Sequence, residues 1–278
     1  MKGMKLMKTR IETPLSKEFI TYALEHENCV HGEPEHFLKV MKHNTGFAGG
    51  LTKYGQDRTG LERRNPLIVA LGDSVTAGHF ELLVRDIADF PAFIKAGKAV
   101  EAVDERESYP QRFRERLSDR YLATSVSVIN AGIAGDTILG MEARLTRDVI
   151  SHNPDLTLIN GSLNWGPDMG DNRLFGEALR RIVRRIKHET VSDIILLTPN
   201  MQDLSSSPFP AGAPLEERVG MIRRIASEED VCLADVYKVW EDFTALGHPV
   251  RELLANGMNH PTPAGHQVYA EILMKFFG

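Results

Sequence analysis

Five short apolar runs, separated by helix-length segments, strongly limit what this chain can fold into. The runs are Leu67–Leu71, Val126–Ile129, Leu156–Ile159, Ile194–Leu197 and Val231–Ala234. Short runs that are almost wholly apolar indicate strands buried on both faces, and their alternation with helices indicates a mainly parallel sheet. We therefore predict an α/β fold in three layers, with helices on both faces of a five-stranded sheet.

Two of the intervening helices can be read from their periodicity. Apolar residues recur every three or four positions between Phe175 and Ile186, and arginines fill the other side, which is typical of a helix with a solvated outer face. Thr262 and Pro263 fit the cap and first position of a final helix that closes one flank of the sheet.

Length and charge set the domain organisation and the class of partner. A chain of 278 residues with 42% hydrophobic content can bury a full core. We expect one domain over residues 66–278, preceded by an extension and linker over residues 1–65, where the alternation of strands and helices is missing. The net charge of −5 offers no basic surface for nucleic acid. No run has the length of a signal peptide or a membrane span, so we expect a cytoplasmic protein.

The cysteines and the histidine-rich N-terminal segment raise the question of metal binding. Cys29 and Cys232 are too few for a disulfide framework, and we expect both to be reduced. The spacing of the N-terminal cluster matches neither a zinc finger nor two histidines on one helix face, so we predict no metal and no cofactor. That cluster comprises His26, Cys29, His31, Glu35, His36 and His43.

Ser74 is the candidate nucleophile. The first apolar run breaks at Gly72 into Asp73 and Ser74, and ligands of parallel sheets bind at the carboxyl ends of the strands. The same pattern also suits a helix cap, which is the alternative for Ser74. We assign Asp73 a supporting role, as a short acceptor that fixes the turn.

Three later segments carry the other groups that an ester-cleaving serine requires. Gly135, in a glycine-rich turn after the second run, and the side chain of Asn164, beyond the third, are candidate donors to an oxyanion. His260 lies on a loop just before the final helix, where a general base would be placed. Trp165, which follows Asn164, is a candidate for the wall of the acyl or alcohol pocket.

These segments make the chain resemble the SGNH hydrolase superfamily, also called the GDSL esterases and lipases. The resemblance covers roughly residues 67–278 and rests on Gly72-Asp73-Ser74, Gly135-Asp136-Thr137, Asn164 and His260-Pro261, in the order of that family's blocks. It implies a flavodoxin-like sheet with strand order 2-1-3-4-5. It also implies a Ser-His catalytic pair and an oxyanion hole formed by Ser74, Gly135 and Asn164.

The chain departs from the family pattern where an acid is expected. The family's catalytic Asp lies three residues before its His, and Gly257 occupies that position here. An acid holds the correct tautomer of the base and stabilises its charged form. Asn256 or a backbone carbonyl could assist His260 instead. A carboxylate from elsewhere could also substitute, and Asp235 and Glu252 are the nearest in sequence, although we expect Asp235 to have a structural role at the end of a strand.

The predicted function is hydrolysis of a small carboxylic ester, with a short acyl group such as acetyl on a sugar or another small molecule. The alternatives are a lysophospholipase or thioesterase, a catalytically impaired relative that only binds its ligand, and a flavodoxin-like module that holds a phosphate or a flavin. Residues 79–107 form an apolar insertion after Ser74. It could pack in the core, form a wall or lid over the site, or provide a contact between copies in a homo-oligomer.

Overall fold

The structure, a computed structural model, describes residues 13–45, 65–84, 86–122, 124–205, 207 and 212–278. Its strands in this part of the chain are β1 (Val30–His31), β2 (Leu67–Gly72), β3 (His79–Leu82), β4 (Glu101–Val103), β5 (Ser127–Gly132), β6 (Leu156–Asn160), β7 (Asp193–Leu197) and β8 (Cys232–Ala234). Its α-helices there are α1 (Pro14–Glu25), α2 (Glu35–Thr45), α3 (Ser74–Ala77), α4 (Phe90–Lys95), α5 (Tyr109–Arg120), α6 (Ile138–Asp148), α7 (Arg173–Glu189), α8 (Leu215–Glu228), α9 (Val236–Ala245) and α10 (Pro263–Met274).

The central sheet follows the order β1-β8-β7-β6-β2-β5. All five predicted strands are present and pair in parallel, and their order is the expected 2-1-3-4-5. The prediction of five strands is nevertheless one short. The sixth strand, β1, pairs antiparallel with β8 and covers what would otherwise be an open edge.

The described part of the expected N-terminal extension packs closely on the domain. The ring of Phe19 in α1 lies 5.0 Å from that of Trp240 and 4.6 Å from that of Phe243, both in α9. In α2, Phe37 is fully buried and its ring meets Phe277 at 5.8 Å. Residues 13–45 therefore contribute both a strand and a share of the core.

Alternation along the buried strands divides the core into two layers. In β2, Ile68 and Ala70 join one apolar cluster, whereas Val69 and Leu71 join the other. The first cluster includes side chains of α1, α2, α5, α9 and α10, and the second those of α6 and α7 with part of α8. This is the predicted three-layer arrangement, because successive side chains of a strand point to opposite faces of its sheet.

The two helices predicted from periodicity are both present. The apolar stripe of α7 is buried, while Arg180, Arg181 and Arg184 form ion pairs on its outer side. Thr262 caps α10 by accepting a hydrogen bond from the N–H of Gly265. None of the helices in the described ranges is long and apolar enough to cross a membrane.

The insertion after Ser74 contains a second, smaller sheet. Strands β3 and β4 pair antiparallel within it, and α4 lies between them in sequence. The N–H of Asp104 donates to the carbonyl of Gly78 (2.9 Å), and that of Leu83 to the carbonyl of Val100 (2.8 Å). Phe80 of β3 is fully buried, with its ring 4.8 Å from that of His266. The strand pair is thereby fixed beside the start of α3.

Candidate active site

The candidate site lies where three neighbouring strands end. Gly72, the last residue of β2, is paired with Gly132 of β5 on one side and with Asn160 of β6 on the other. The chain runs from β2 to β5 and then returns to β6 across β2, so the loops after β5 and β6 leave from opposite sides of β2. Ligands of open parallel sheets bind at such a switch point.

The sequence left open whether the turn after β2 provides a helix cap or a nucleophile. The structure gives the cap to Asp73 and leaves the hydroxyl of Ser74 beside a base. Asp73 is the N-cap of α3, and its Oδ1 accepts a hydrogen bond from the N–H of Val75 at 3.0 Å. Ser74 is the first residue of α3, and its Oγ lies 2.9 Å from Nε2 of His260. Ser74 is 5% exposed and His260 4% exposed, so this contact is largely shielded from water.

Asp73 is a fully buried carboxyl group, and burial raises its pKa to about 6. The hydrogen bond from Val75 and the proximity of His260 act in the opposite direction, and the proximity of Asp136 adds to the rise. The second oxygen, Oδ2, has no hydrogen-bond partner among the described residues. When Asp73 ionises, its buried surroundings stabilise the negative charge poorly, and this charge lies close to His260.

Asn256 organises the loop that carries His260. Its Oδ1 accepts hydrogen bonds from the N–H groups of Met258, Asn259 and His260, at 3.0, 2.9 and 2.9 Å. Gly257 allows the loop to turn between these hydrogen bonds. Its φ of +69° lies in the left-handed region, which residues with a side chain rarely adopt. The supporting residue predicted at position 256 thus contacts the backbone of His260 and fixes the loop.

Neither carboxylate proposed from sequence proximity lies beside His260. Asp235 accepts from Thr198 Oγ1 at 2.9 Å, pairs with Arg223 at 2.7 Å and caps α9, so it has a structural role at the end of β8. Glu252 is exposed. Asp235 thus has the structural role expected of it, and Glu252 does not supply the replacement acid.

A carboxylate from the insertion occupies that place. Oε1 of Glu101 in β4 lies 2.9 Å from Nδ1 of His260, in a contact that is bent away from a straight hydrogen bond. Its other oxygen, Oε2, is 3.0 Å from Nδ1 of His79, and the amide of Asn256 donates to Oε1 at 3.2 Å. Neither Glu101 nor His79 was predicted from the sequence as a site residue. The only signal for them was the unusual length of the insertion.

Burial by itself would raise the pKa of Glu101, since its side chain is only 8% exposed. The contacts from His260, His79 and Asn256 outweigh that effect and lower the pKa of Glu101 to about 2. Glu101 is therefore a carboxylate at every pH at which an esterase of this kind would be assayed.

Gly135 and Asn164 line a cavity whose wall includes Asn259, the residue before His260, but neither Ser74 nor His260. The backbone of Gly135 has a φ of +74°, and among the described residues nothing lies within 4 Å of the position that a Cβ would take. The amide of Asn164 donates one hydrogen bond to the carbonyl of Asp136 at 2.9 Å. Because an amide NH₂ has two hydrogens, the second can serve a ligand.

The cavity has a volume of about 440 Å³ and mixed walls. Trp165 lies in its wall and is held there by a hydrogen bond from Nε1 to the carbonyl of Gly170 (3.3 Å) and by its edge-to-face contact with Phe175 (5.9 Å). The polar residues of the wall, besides Trp165, are Thr137, Asn164, Gln202, Ser207, Glu216, Arg218 and Asn259. Groups of this kind suit a ligand rich in hydroxyl groups better than a long alkyl chain.

Two of the histidines in the N-terminal segment, His26 and His36, are paired with carboxylates. His26 Nε2 lies 2.8 Å from Asp242 and His36 Nε2 lies 3.0 Å from Asp155. The side chain of His43 lies outside the described residues. Elsewhere, in the ranges that are described, no three His, Cys, Asp or Glu side chains are grouped so that they could hold a metal ion. Cys29 and Cys232 are both buried and free.

The chain is similar to known proteins in both sequence and fold. Residues 70–268 match the family model of the GDSL-like lipase/acylhydrolase family. Over 172 residues the chain is 27% identical to an acetylxylan esterase of Geobacillus stearothermophilus, an alignment that covers 57% of this chain and 75% of that protein.

Two solved structures illustrate the likeness in fold. A lipase/acylhydrolase from Enterococcus faecalis superposes with a TM-score of 0.57 at 22% identity, over 76% of this chain and 94% of that chain. A two-domain esterase active on acetylated mannans superposes with a TM-score of 0.62 at 20% identity, over 91% of this chain and 55% of that chain.

Proposed function

Because the chain belongs to the GDSL-like lipase/acylhydrolase family and is thus a carboxylic ester hydrolase, we propose that it cleaves small acetyl esters, with Ser74 as nucleophile and His260 as base. The observation that carries this proposal is the buried 2.9 Å contact between Ser74 Oγ and His260 Nε2. A hydroxyl group becomes an effective nucleophile only when a base in hydrogen-bond reach accepts its proton.

The reaction begins with proton transfer from Ser74 Oγ to His260 Nε2 as the oxygen attacks the ester carbonyl. The oxyanion that develops receives hydrogen bonds from the N–H groups of Ser74 and Gly135 and from the side chain of Asn164. His260 then gives its proton to the departing alcohol, which leaves an acyl group on Ser74. A water molecule deprotonated by His260 attacks that acyl group. As the bond between the acyl carbon and Ser74 Oγ breaks, His260 returns the proton to Oγ and the acid is released.

Two observations support a short acyl group and a hydroxylated alcohol. The polar side chains of the cavity, such as Gln202 and Glu216, can hydrogen-bond the hydroxyl groups of a sugar but would be desolvated without compensation by an alkyl chain. The acetylxylan esterase relative, at 27% identity, acts on an ester of this class according to its name. An acetylated sugar or a similar small acetyl ester is therefore the proposed substrate.

The test is a series of p-nitrophenyl esters of increasing acyl length, together with a peracetylated monosaccharide. We expect kcat/KM to be greatest for the acetyl ester, and Ser74→Ala to lower kcat by about 10⁶-fold, as in other serine hydrolases. A fluorophosphonate should label Ser74 in the wild type and leave the variant unlabelled. Ser227→Ala changes an exposed serine of α8 and is the matched control. Substantial activity in Ser74→Ala would overturn the assignment, and a preference for long acyl chains would overturn the substrate class.

A further inference from the structure

Glu101 reaches His260 from a part of the chain that precedes the β5 strand and is remote from the His260 loop in sequence. It belongs to β4, which pairs with β3 in the register His79 with Val103 and Leu82 with Glu101. Strand β3 begins directly after α3, whose first residue is Ser74. The strand pair is thus attached to the element that carries the nucleophile and places its carboxylate against the far side of the base.

We propose that Glu101 replaces the acid missing at position 257, and that it positions His260 and stabilises the positive charge this ring acquires during catalysis. The inference rests on the proposed roles of Ser74 and His260. Glu101 acts through the base and does not touch the reacting atoms, so it is a positioning residue.

The chemistry requires a group of this kind at Nδ1 of His260. If Nε2 is to accept the proton of Ser74, the hydrogen of the neutral ring must be on Nδ1, and a carboxylate oxygen 2.9 Å away favours that tautomer. After the transfer the ring is an imidazolium, and an adjacent carboxylate shielded from water stabilises it more than one in water would. The bent contact is expected to straighten when the ring becomes charged.

His79 and Asn256 hold the carboxylate in this orientation. His79 Nδ1 contacts Oε2 at 3.0 Å, and Asn256 donates to Oε1 at 3.2 Å, so each oxygen of Glu101 has a partner besides the base. Asn256 also donates to Oδ1 of Asn259 at 2.9 Å and ties the carboxylate to the loop that carries His260. A Glu on a separate strand can therefore do what an Asp in the loop does in the family pattern.

Other charged groups near His260 also influence how the activity of the enzyme varies with pH. Asp73 interacts with His260 from the side of the nucleophile. Arg251 lies near the loop, with its Nε 3.4 Å from where a Cβ of Gly257 would be. His79 shares the carboxylate of Glu101 and, when protonated, competes with His260 for its charge. Among the residues that the structure describes, only Glu101 contacts the ring of His260 at ion-pair distance on the side of Nδ1.

The test compares Glu101→Gln with Glu81→Gln, which makes the same chemical change on the paired strand β3. Glu101→Gln keeps the shape of the side chain and removes its charge. We expect kcat to fall by about 10²- to 10⁴-fold with little change in KM, because the charge acts in the transition state. We also expect the acidic limb of the pH–rate profile to move to lower pH, since the imidazolium loses its partner anion.

These measurements distinguish a positioning role of Glu101 from a purely structural one. They also show whether a failure concerns Glu101 or the assignment of Ser74. Activity within about threefold of the wild type in Glu101→Gln, with Ser74→Ala inactive, would overturn the role of Glu101 and leave the nucleophile standing. A lower kcat with an unmoved acidic limb would also overturn it, because loss of structure alone does not shift the titration of the base. Rates are expressed per fluorophosphonate-reactive serine, so misfolded protein does not contribute.

A measurement on the unaltered protein covers the case in which Glu101→Gln fails to fold. In ¹⁵N-histidine-labelled wild type, the resonances missing from a His260→Gln sample identify His260. We expect its neutral ring to carry the hydrogen on Nδ1. Finding the hydrogen on Nε2 would refute the proposal, since Glu101 would then face an unprotonated nitrogen.

Discussion

Asp73 should make the protein less stable as the pH rises through the weakly acidic range. Burial raises the pKa of Asp73 from an ordinary 3.8 to about 6. Below about pH 3.8 the carboxyl group is protonated in both the folded and the unfolded chain and contributes nothing. Between about pH 3.8 and 6 the unfolded chain releases the proton while the folded protein retains it, so stability is lost as the pH rises. Each pH unit is worth about 1.4 kcal/mol, which gives a total cost of about 3 kcal/mol above pH 6.

The substitution Asp73→Asn removes this charge and keeps the acceptor for the N–H of Val75. Its new NH₂ group takes the place of an oxygen without a partner among the described residues, which costs about 1–3 kcal/mol at every pH. The change with pH is therefore the informative quantity. Relative to the wild type, the free energy of unfolding of Asp73→Asn should rise by about 2.4 kcal/mol between about pH 4 and about pH 7.5.

Urea unfolding followed by far-UV circular dichroism at the two pH values measures this change. Asp171→Asn is the matched control, because exposed Asp171 accepts from the N–H of Arg173 at 3.0 Å with the same two-residue spacing. Its effect should be the same at both pH values. In a His260→Gln background the change for Asp73 should increase, since His260 acts to lower the pKa of Asp73. A difference between Asp73→Asn and wild type that varies by less than about 0.5 kcal/mol would refute the reasoning.

Two further predictions concern the oxyanion site and the N-terminal segment. Asn164→Ala should lower kcat for the acetyl ester by about 10²- to 10³-fold, as expected for loss of one oxyanion donor, and steady-state kinetics with unchanged activity would remove Asn164 from that role. Phe19→Ala should reduce the free energy of unfolding by about 3–5 kcal/mol, because the Phe19 ring is fully buried against Trp240 and Phe243. Leu24→Ala, on the same helix but 53% exposed, should cost less than about 0.5 kcal/mol in the same urea titration, and equal effects of the two substitutions would contradict the packing of α1.

The short-range patterns of the sequence determined the architecture and the edge of the sheet at which the candidate site residues lie. Apolar runs of strand length predicted the five parallel strands, and helix caps such as Thr262 predicted where α10 begins. These features follow from residues close together in the chain, which is why they can be read without the fold. The carboxyl ends of parallel strands share one edge, so the sequence also indicated that Ser74, Gly135 and Asn164 would lie at the same edge of the sheet.

Only the tertiary structure decided which groups surround His260 and what covers the edge of the sheet. Glu101 and His260 meet because a two-stranded insertion packs against the loop of the base, and no local periodicity encodes that contact. In the same way β1 is too short to show a pattern of its own, and pairing with β8 is what makes it a strand. A carboxylate can serve a base from any strand that brings it within ion-pair distance. Gly257 therefore indicated that the loop lacks an acid, and the packing of the insertion supplied one from elsewhere.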